Sequence, residues 1–199
     1  MTPTAKKIDR KCTYEDYRKW GDEERWELID GVPYNMTPAP TLKHQIISRN
    51  LLTRLTVFLA GKTCQPFAAP TDVVFDEYNV VQPDILVVCN EEKLSGANIQ
   101  GAPDLVVEIL SPSTSRKDRR EKKALYERFA VREYIVIDPV NETVERLRLA
   151  KGKYGNPDVF GWDETMTMML FPELELNLWE IFEKEKVEVN EPRPGYKSR

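Results

Sequence analysis

The sequence predicts a single mixed α/β or α+β domain, with a central mixed β-sheet flanked by helices. Three observations predict it. The chain has 199 residues, enough for one core of ordinary size, and shows no internal repeat and no linker that would divide it. Helical and strand-like patterns follow one another as helix, hairpin, long helix, several strands, helix and strands, an order that favours a sheet with helices packed on it. A hydrophobic fraction of 41% beside a charged fraction of 31% suits a soluble globular protein, and no run approaches the ~20 apolar residues of a membrane span.

Taken in order, residues 1–12 read as a loose polar lead-in and 13–183 as the domain, while 184–199, charged and carrying two prolines, read as a disordered tail. Thr13-Tyr14-Glu15-Asp16 has a capping residue with an acid three positions on and starts a short helix to about Trp20. Arg25 to Ile29 is a strand, Asp30-Gly31 a type I′ turn and Val32 to Met36 the return strand. Thr37-Pro38-Ala39-Pro40 breaks the chain. Leu42 to Ala60 is the clearest helix, because Ile47, Leu51, Leu55, Phe58 and Leu59 recur at helical spacing and Gly61 stops it.

Cys64 to Ala68 is a strand, and Asp72 to Phe75 with Val80 to Val88 form a hairpin around Glu77-Tyr78-Asn79. Residues 90–102 are polar and irregular. Asp104 to Leu110 is a strand, and Ser111 to Ser115 supplies capping residues for a charged helix from Lys117 to Phe129. Val131 to Ile137 and Glu142 to Leu149 are strands. Met166 to Leu170 pairs beyond a turn-rich region, and Leu176 to Phe182 forms a last short helix.

Composition removes several classes of chemistry. His44 is the single histidine, so multi-histidine metal sites are excluded and any Ser/His/Asp or Cys/His mechanism depends on it. Cys12, Cys64 and Cys89 are odd in number and lack zinc-ligand spacing, which predicts free thiols in a reducing compartment. Met1 to Lys7 has no apolar segment of the secretory kind, so the expected location is cytoplasmic. A net charge of −4 means that any polyanionic partner must be met by a local basic patch. No glycine-rich phosphate loop, dinucleotide fingerprint or serine elbow is present, and no organic cofactor is expected.

Two short β-branched runs carry carboxylates where apolar residues belong. In the second, alternation puts Leu105, Val107 and Ile109 on one face and Val106, Glu108 and Leu110 on the other. Glu108 then points with two apolar side chains, which costs several kcal/mol unless a cation compensates it. That cation is a metal ion or a lysine; the alternative is a purely structural ion pair. Asp84 follows Pro83 at the mouth of the strand Ile85 to Val88.

On the helix, Asp118, Lys122, Leu125 and Phe129 share a face, with Tyr126 close to it. Lys122 thus lies in an apolar stripe, able either to approach a bound phosphate or to snorkel to solvent. Arg116, Lys117, Arg119, Arg120 and Lys123 form a positive cluster that could meet a nucleic-acid backbone, or be a solvated helix surface diluted by Asp118 and Glu121. Glu27, between Trp26 and Leu28, is a further carboxylate in an apolar setting. Together these residues outline a metal-dependent phosphodiester-cleaving site.

Gln82-Pro83-Asp84-Ile85, the run from Gly101 to Thr114, Asp118 with Lys122 and Tyr126, Val131 to Tyr134 and Asp138-Pro139 resemble the Uma-type restriction endonuclease family of the PD-(D/E)XK nuclease superfamily. Glu27 to Gly31 and His44 resemble that family's N-terminal half, so the likeness spans roughly 13 to 182. The resemblance implies a restriction-endonuclease-like core acting on DNA. Asp84 and Glu108 would bind Mg2+ or Mn2+ with the carbonyl of Ile109, Lys122 would orient or activate the attacking water, and Glu27 would add a carboxylate. His44, Asp118 and Tyr126 would support them. The sequence departs from the superfamily pattern at Leu110, where a lysine is usual, and Lys122 is the expected replacement.

Cleavage of both strands implies a homodimer. Two other readings remain at this stage. One is a catalytically decayed nuclease fold serving as a nucleic-acid-binding or assembly module, which Leu110 favours. The other is a small-molecule hydrolase that uses His44.

Overall fold

The computed structural model describes residues 10–20, 25–36, 39–112 and 114–186. Most of the expected lead-in and tail, at 1–9 and 187–199, lies outside the described residues. The first element is a one-turn helix, α1 (Tyr14–Tyr17), which Thr13 and Asp16 close with a reciprocal capping box. β1 (Trp26–Ile29) and β2 (Val32–Asn35) form the expected hairpin. Its turn residues Asp30 and Gly31 have φ of 52° and 78°, as a type I′ turn requires. α2 (Leu42–Leu59) follows, with Ile47, Leu51, Leu55 and Leu59 buried along one stripe.

The middle of the chain supplies β3 (Gln65–Ala68), β4 (Val73–Asp76), β5 (Asn79–Val81), β6 (Ile85–Val88), β7 (Ile99–Gln100) and β8 (Leu105–Ile109). One helical run comes next: α3 (Ser115–Lys117), a π turn over Asp118–Lys122, and α4 (Lys123–Arg128). β9 (Glu133–Asp138), β10 (Thr143–Ala150), β11 (Lys153–Tyr154), β12 (Asp158–Gly161), β13 (Thr165–Thr167), β14 (Glu175–Asn177) and α5 (Leu178–Ile181) complete it.

The larger sheet has the order β11-β10-β9-β8-β6-β3, with β12 also paired to β10. The smaller sheet has the order β2-β1-β5-β4-β7, and β13 pairs with β14. β8 and β9 run parallel, which obliges a crossover, and the helical run from Ser115 to Arg128 is that crossover. The mixed sheet flanked by helices is therefore the fold that the element order implied.

Alternation along β8 holds as read. Leu105, Val107 and Ile109 pack with the α2 stripe. Val106 and Leu110 pack with Leu125 and Tyr126 of the helical run and with Val73 and Val81 of the smaller sheet. Both faces of β8 are thus covered, and this is why its sequence is a continuous apolar run that admits a carboxylate only with a partner.

Three expectations are corrected. Val80 to Val88 is not one strand. Pro83 has no N–H to give to a ladder, so β5 ends in the smaller sheet and β6 begins in the larger one. The chain changes sheets at Gln82-Pro83-Asp84. Second, Cys64 and Cys89 are not free: they sit one step beyond the Gln65↔Val88 pair of β3 and β6 and form a disulfide, with Cα atoms 3.9 Å apart. Their separation in sequence concealed a register that sets them face to face. Third, the described end of the lead-in is packed, because Cys12 is buried with Leu28, Val74 and Val80 and its N–H donates to the Gly31 carbonyl.

Shortening Leu51 to Ala should remove a fully enclosed side chain from the α2 stripe. The expected loss is about 2–5 kcal/mol, read as a fall in the urea midpoint; a loss below about 1 kcal/mol would mean that α2 is not held by this face.

Candidate active site

The β6–β8 ladder pairs Ile85 with Val107 in antiparallel register, and one further step sets Asp84 against Glu108. Two carboxylates remote in sequence thus become cross-strand neighbours at the point where the chain changes sheets. Oδ2 of Asp84 accepts the Ile109 N–H at 2.7 Å and lies 3.2 Å from Nε2 of His44, near the start of α2. The N–H and C=O of one strand residue leave by the same edge, so the Ile109 carbonyl leaves β8 on the side of Asp84.

Glu108 is 3% exposed, and a bare carboxylate there would be untenable. Its Oε1 accepts from Lys122 Nζ at 2.9 Å and from the Tyr126 hydroxyl at 2.6 Å. Lys122 is itself 2% exposed. It also lies 2.6 Å from Oε1 of Glu27 and 3.8 Å from Oδ1 of Asp118. Glu27 is wholly buried; its Oε1 accepts the Gln82 N–H, and its Oε2 holds Lys117 at 2.5 Å.

Two charged residues of the crossover reach the same place because residues four apart share a face of a helical run. Asp118 and Lys122 begin and end the π turn, and both are buried.

Charge sets the proton affinities. Burial, with the Asp118, Asp84 and Glu27 carboxylates, outweighs Lys122 and pushes Glu108 up to about 8. Burial also raises Asp118. For Glu27 burial acts the same way, but Lys122 and then Lys117 overcome it and hold its carboxyl below the usual range. Burial would lower Lys122, yet Glu108, Glu27 and Asp118 together raise it well above an ordinary lysine. Four carboxylates, Glu27, Asp84, Glu108 and Asp118, thus face two ammonium groups, Lys117 and Lys122.

Counting Arg25, which also lines the cleft, three cationic side chains meet those four carboxylates, a formal excess of one negative charge that a bound cation would offset. Among the described residues no three His, Cys, Asp or Glu side chains are grouped to hold a metal ion. The protein donors for one would be Asp84, Glu108 and the Ile109 carbonyl. Two carboxylates with further positions left to water and phosphate oxygen is the pattern that Mg2+ prefers. The recorded hydrogen bonds of Asp84 fall on Oδ2 and those of Glu108 on Oε1. Oδ1 of Asp118 is buried with no hydrogen-bond partner among the described residues. The donor set fits a hard cation.

An open cleft of about 350 Å3 lies over these groups, lined by Arg25, His44, Asp84, Glu108, Lys117 and Lys122 among others. Ile109 and Asp118 also line it, Tyr126 supports Glu108 from within the core, and Glu27 lies behind the lining. The basic cluster of the helix does not stay together. Lys117 turns inward to Glu27, while Arg119 pairs with Glu145 and lies 3.7 Å from Asp138. Arg116 and Arg120 are exposed, and Lys123 is half-buried. Leu110, where a lysine is usual in the superfamily, is buried in the apolar layer.

Sequence reasoning passed over Arg25 and the side chain of Gln82, both of which line the cleft. A signal for Arg25 existed, since alternation puts it on the same side of β1 as Glu27.

Comparison with known proteins bears on the family and the fold. The profile of the Uma2 family, described as "Putative restriction endonuclease", matches residues 14–178. A Synechocystis protein described as uncharacterized is 32% identical over 119 residues, a match covering 58% of this chain and 62% of that protein's length. The chain also shares its fold with an Anabaena variabilis protein titled a "putative nuclease belonging to DUF820", with a TM-score of 0.71 at 22% identity over 86% of this chain and 97% of that one.

Two predictions follow from the buried charges. Lys122→Met leaves Glu27 and Glu108 without their shared cation and should cost about 3–5 kcal/mol at pH 8, with a smaller loss at pH 5, where the carboxyls can take protons; equal urea midpoints for variant and native protein at pH 8 would refute it. The second concerns Glu108, which holds its proton to about 8 when folded and to only ~4.3 when unfolded. As pH rises between those values the unfolded chain sheds a proton that the folded chain keeps, so native stability falls and levels off above about 8. Glu108→Gln lacks this loss. Its melting temperature relative to the native protein should climb from pH 5 to pH 8, and a flat difference across that range would contradict the assignment.

Proposed function

The chain belongs to the Uma2 family, and from that premise we propose that it is a Mg2+- or Mn2+-dependent endonuclease that hydrolyses phosphodiester bonds in DNA. The observation that carries the reading is Lys122 at 2.9 Å from Glu108, which the β-ladder sets opposite Asp84. Two carboxylates and a lysine therefore meet at one end of a cleft although the lysine comes from a different element than the superfamily pattern expects.

The residues divide the work by position. Asp84 and Glu108, with the Ile109 carbonyl, would hold the cation, which when bound acidifies a water and draws charge from the phosphoryl group. His44 and the Ile109 N–H fix the rotamer of Asp84. Tyr126 fixes that of Glu108. Lys122 presents a permanent positive charge beside the carboxylate pair, where it holds the attacking water and offsets the charge that grows on the phosphate oxygens. Water adds to phosphorus, its proton passes to solvent, and the phosphorus–oxygen bond to one sugar breaks with the leaving oxygen protonated from solvent. Cleavage of both strands by this single cleft calls for a second copy, so a homodimer is part of the proposal, as is action in the cytoplasm. Among the described residues no helix is long and apolar enough to cross a membrane.

Leu110 remains the one feature favouring a binding module without activity, and the position of Lys122 argues against it. Nε2 of His44 meets Asp84 and its buried Nδ1 has no hydrogen-bond partner among the described residues, so no hydroxyl or thiol is paired with it as a nucleophile would be.

The test is nicking of supercoiled plasmid with Mg2+ and with Mn2+. Asp84→Asn and Glu108→Gln, purified in parallel with the native chain, should lose activity by on the order of 10²–10³-fold. Equal cleavage by native protein and Glu108→Gln would overturn the site assignment.

A further inference from the structure

Three cations line the cleft, Arg25, Lys117 and Lys122, and a single buried pair orients all of them. Glu27 holds Lys122 on one oxygen and Lys117 on the other. The Gln82 N–H donates to Glu27, while the Gln82 side-chain oxygen accepts from Nε and Nη2 of Arg25 at 2.9 and 2.7 Å. Gln82 cannot turn its amide round, because Nε2 donates to Asp72 at 2.8 Å and Asp72 also accepts from the Tyr17 hydroxyl. Arg25 therefore presents a guanidinium whose Nη1 has no bond recorded among the described residues, on a support that is fully determined.

We propose that Arg25 and Lys117 form a phosphate-binding subsite for the DNA backbone, placed beside the carboxylate pair and held there by Glu27 and Gln82. The proposal rests on the nuclease reading and adds to it the groups that seat the strand. Glu27 on this account is a positioning residue: it lies behind the cleft lining and acts through the two lysines. Asp84, Glu108 and Asp118 would repel a backbone drawn over them alone, so a polyanion needs cations beside the cleft as well as between the carboxylates. Arg25 and Lys117 are cleft-lining and suited to this, whereas Arg119 of the helix surface is committed to Glu145 and Asp138. Lys117 also has the ring of Tyr34 at 5.5 Å, which limits where its stem can lie.

The experiment measures binding of a random-sequence 30-base-pair duplex to the full chain by fluorescence anisotropy, in Ca2+ without Mg2+, across a salt series. One phosphate contact contributes about 0.9 to the slope of log affinity against log salt. Arg25→Gln and Lys117→Gln should each lower the slope by about 0.9, the double variant by about twice that, and Lys117→Arg should restore it. Lys117→Gln could weaken the fold by unpairing Glu27, but Arg25→Gln leaves the buried charges intact and tests the subsite by itself. An unchanged slope in Arg25→Gln, with a reduced one in an Arg116→Gln, Arg120→Gln variant, would overturn the subsite and move the backbone to the outer helix surface while leaving the nuclease reading in place. No salt-dependent binding by the native chain would overturn the nuclease reading and this subsite with it.

Discussion

The structure depends on one buried ammonium group. Lys122 touches Glu27 of β1, Glu108 of β8 and approaches Asp118 of its own helical run. β1 belongs to the smaller sheet, β8 to the larger, and the helix is the crossover that makes β8 and β9 parallel. One side chain therefore links by charge three elements that the apolar cluster of Ile29, Leu110, Leu125 and Tyr126 also brings together. Apolar packing joins these layers with less risk, because a buried ion pair gains little over a hydrophobic replacement and loses heavily when one partner is removed. A cluster built on such terms is better explained by what it does than by what it stabilises.

The protonation pattern carries the same implication. Burial drives Glu108 toward its neutral form, and the neighbouring carboxylates add to that drive. Glu27, equally buried, is held ionised by two lysines. Two glutamates in one apolar layer thus differ in charge because their cations are unequally shared. Glu27 is the fixed counter-charge, and Glu108 is the group left with capacity for another cation.

Much of this was legible in the sequence. The capping box at Thr13, the Asp30-Gly31 turn and the stripe of α2 are local signals, set by residues a few positions apart and so readable without knowing what packs on them. Glu108 and Lys122 were legible for a related reason: strand and helix periodicities put each on an apolar face, where a charge demands a partner. What could not be read were facts of register and of chain crossing. The apolar run from Val80 to Val88 gives no sign that its two ends serve different sheets except Pro83, and a proline also occurs at strand entries. Cys64 and Cys89 look unrelated until β3 and β6 are aligned. The basic residues from Arg116 to Lys123 read as one patch, although a helical run that includes a π turn sends Lys117 inward and Arg119 toward β10. Arg25 carried only the signal of sharing a strand side with Glu27, since an arginine at a strand end is ordinary until Gln82 is seen to fix it.

The placement of Lys122 also explains why Leu110 need not disable the site. On the proposed nuclease reading a lysine is needed at a point in space beside Glu108, and the chain can deliver it from strand or helix. At Leu110 the side chain packs into the apolar layer that carries Leu125 and Tyr126. A strand lysine would have to displace part of that layer, whereas the helix already lies against Glu108 and needs only to rotate one residue inward. Lys122 ends the π turn on its buried side, and the Tyr134 hydroxyl, donating to the Asp118 carbonyl at 3.0 Å, occupies a backbone acceptor in that turn. The cation's position therefore depends on helix packing, not on strand geometry. Residues such as Tyr126 and Tyr134, remote from any phosphate, become part of how the site is held in shape.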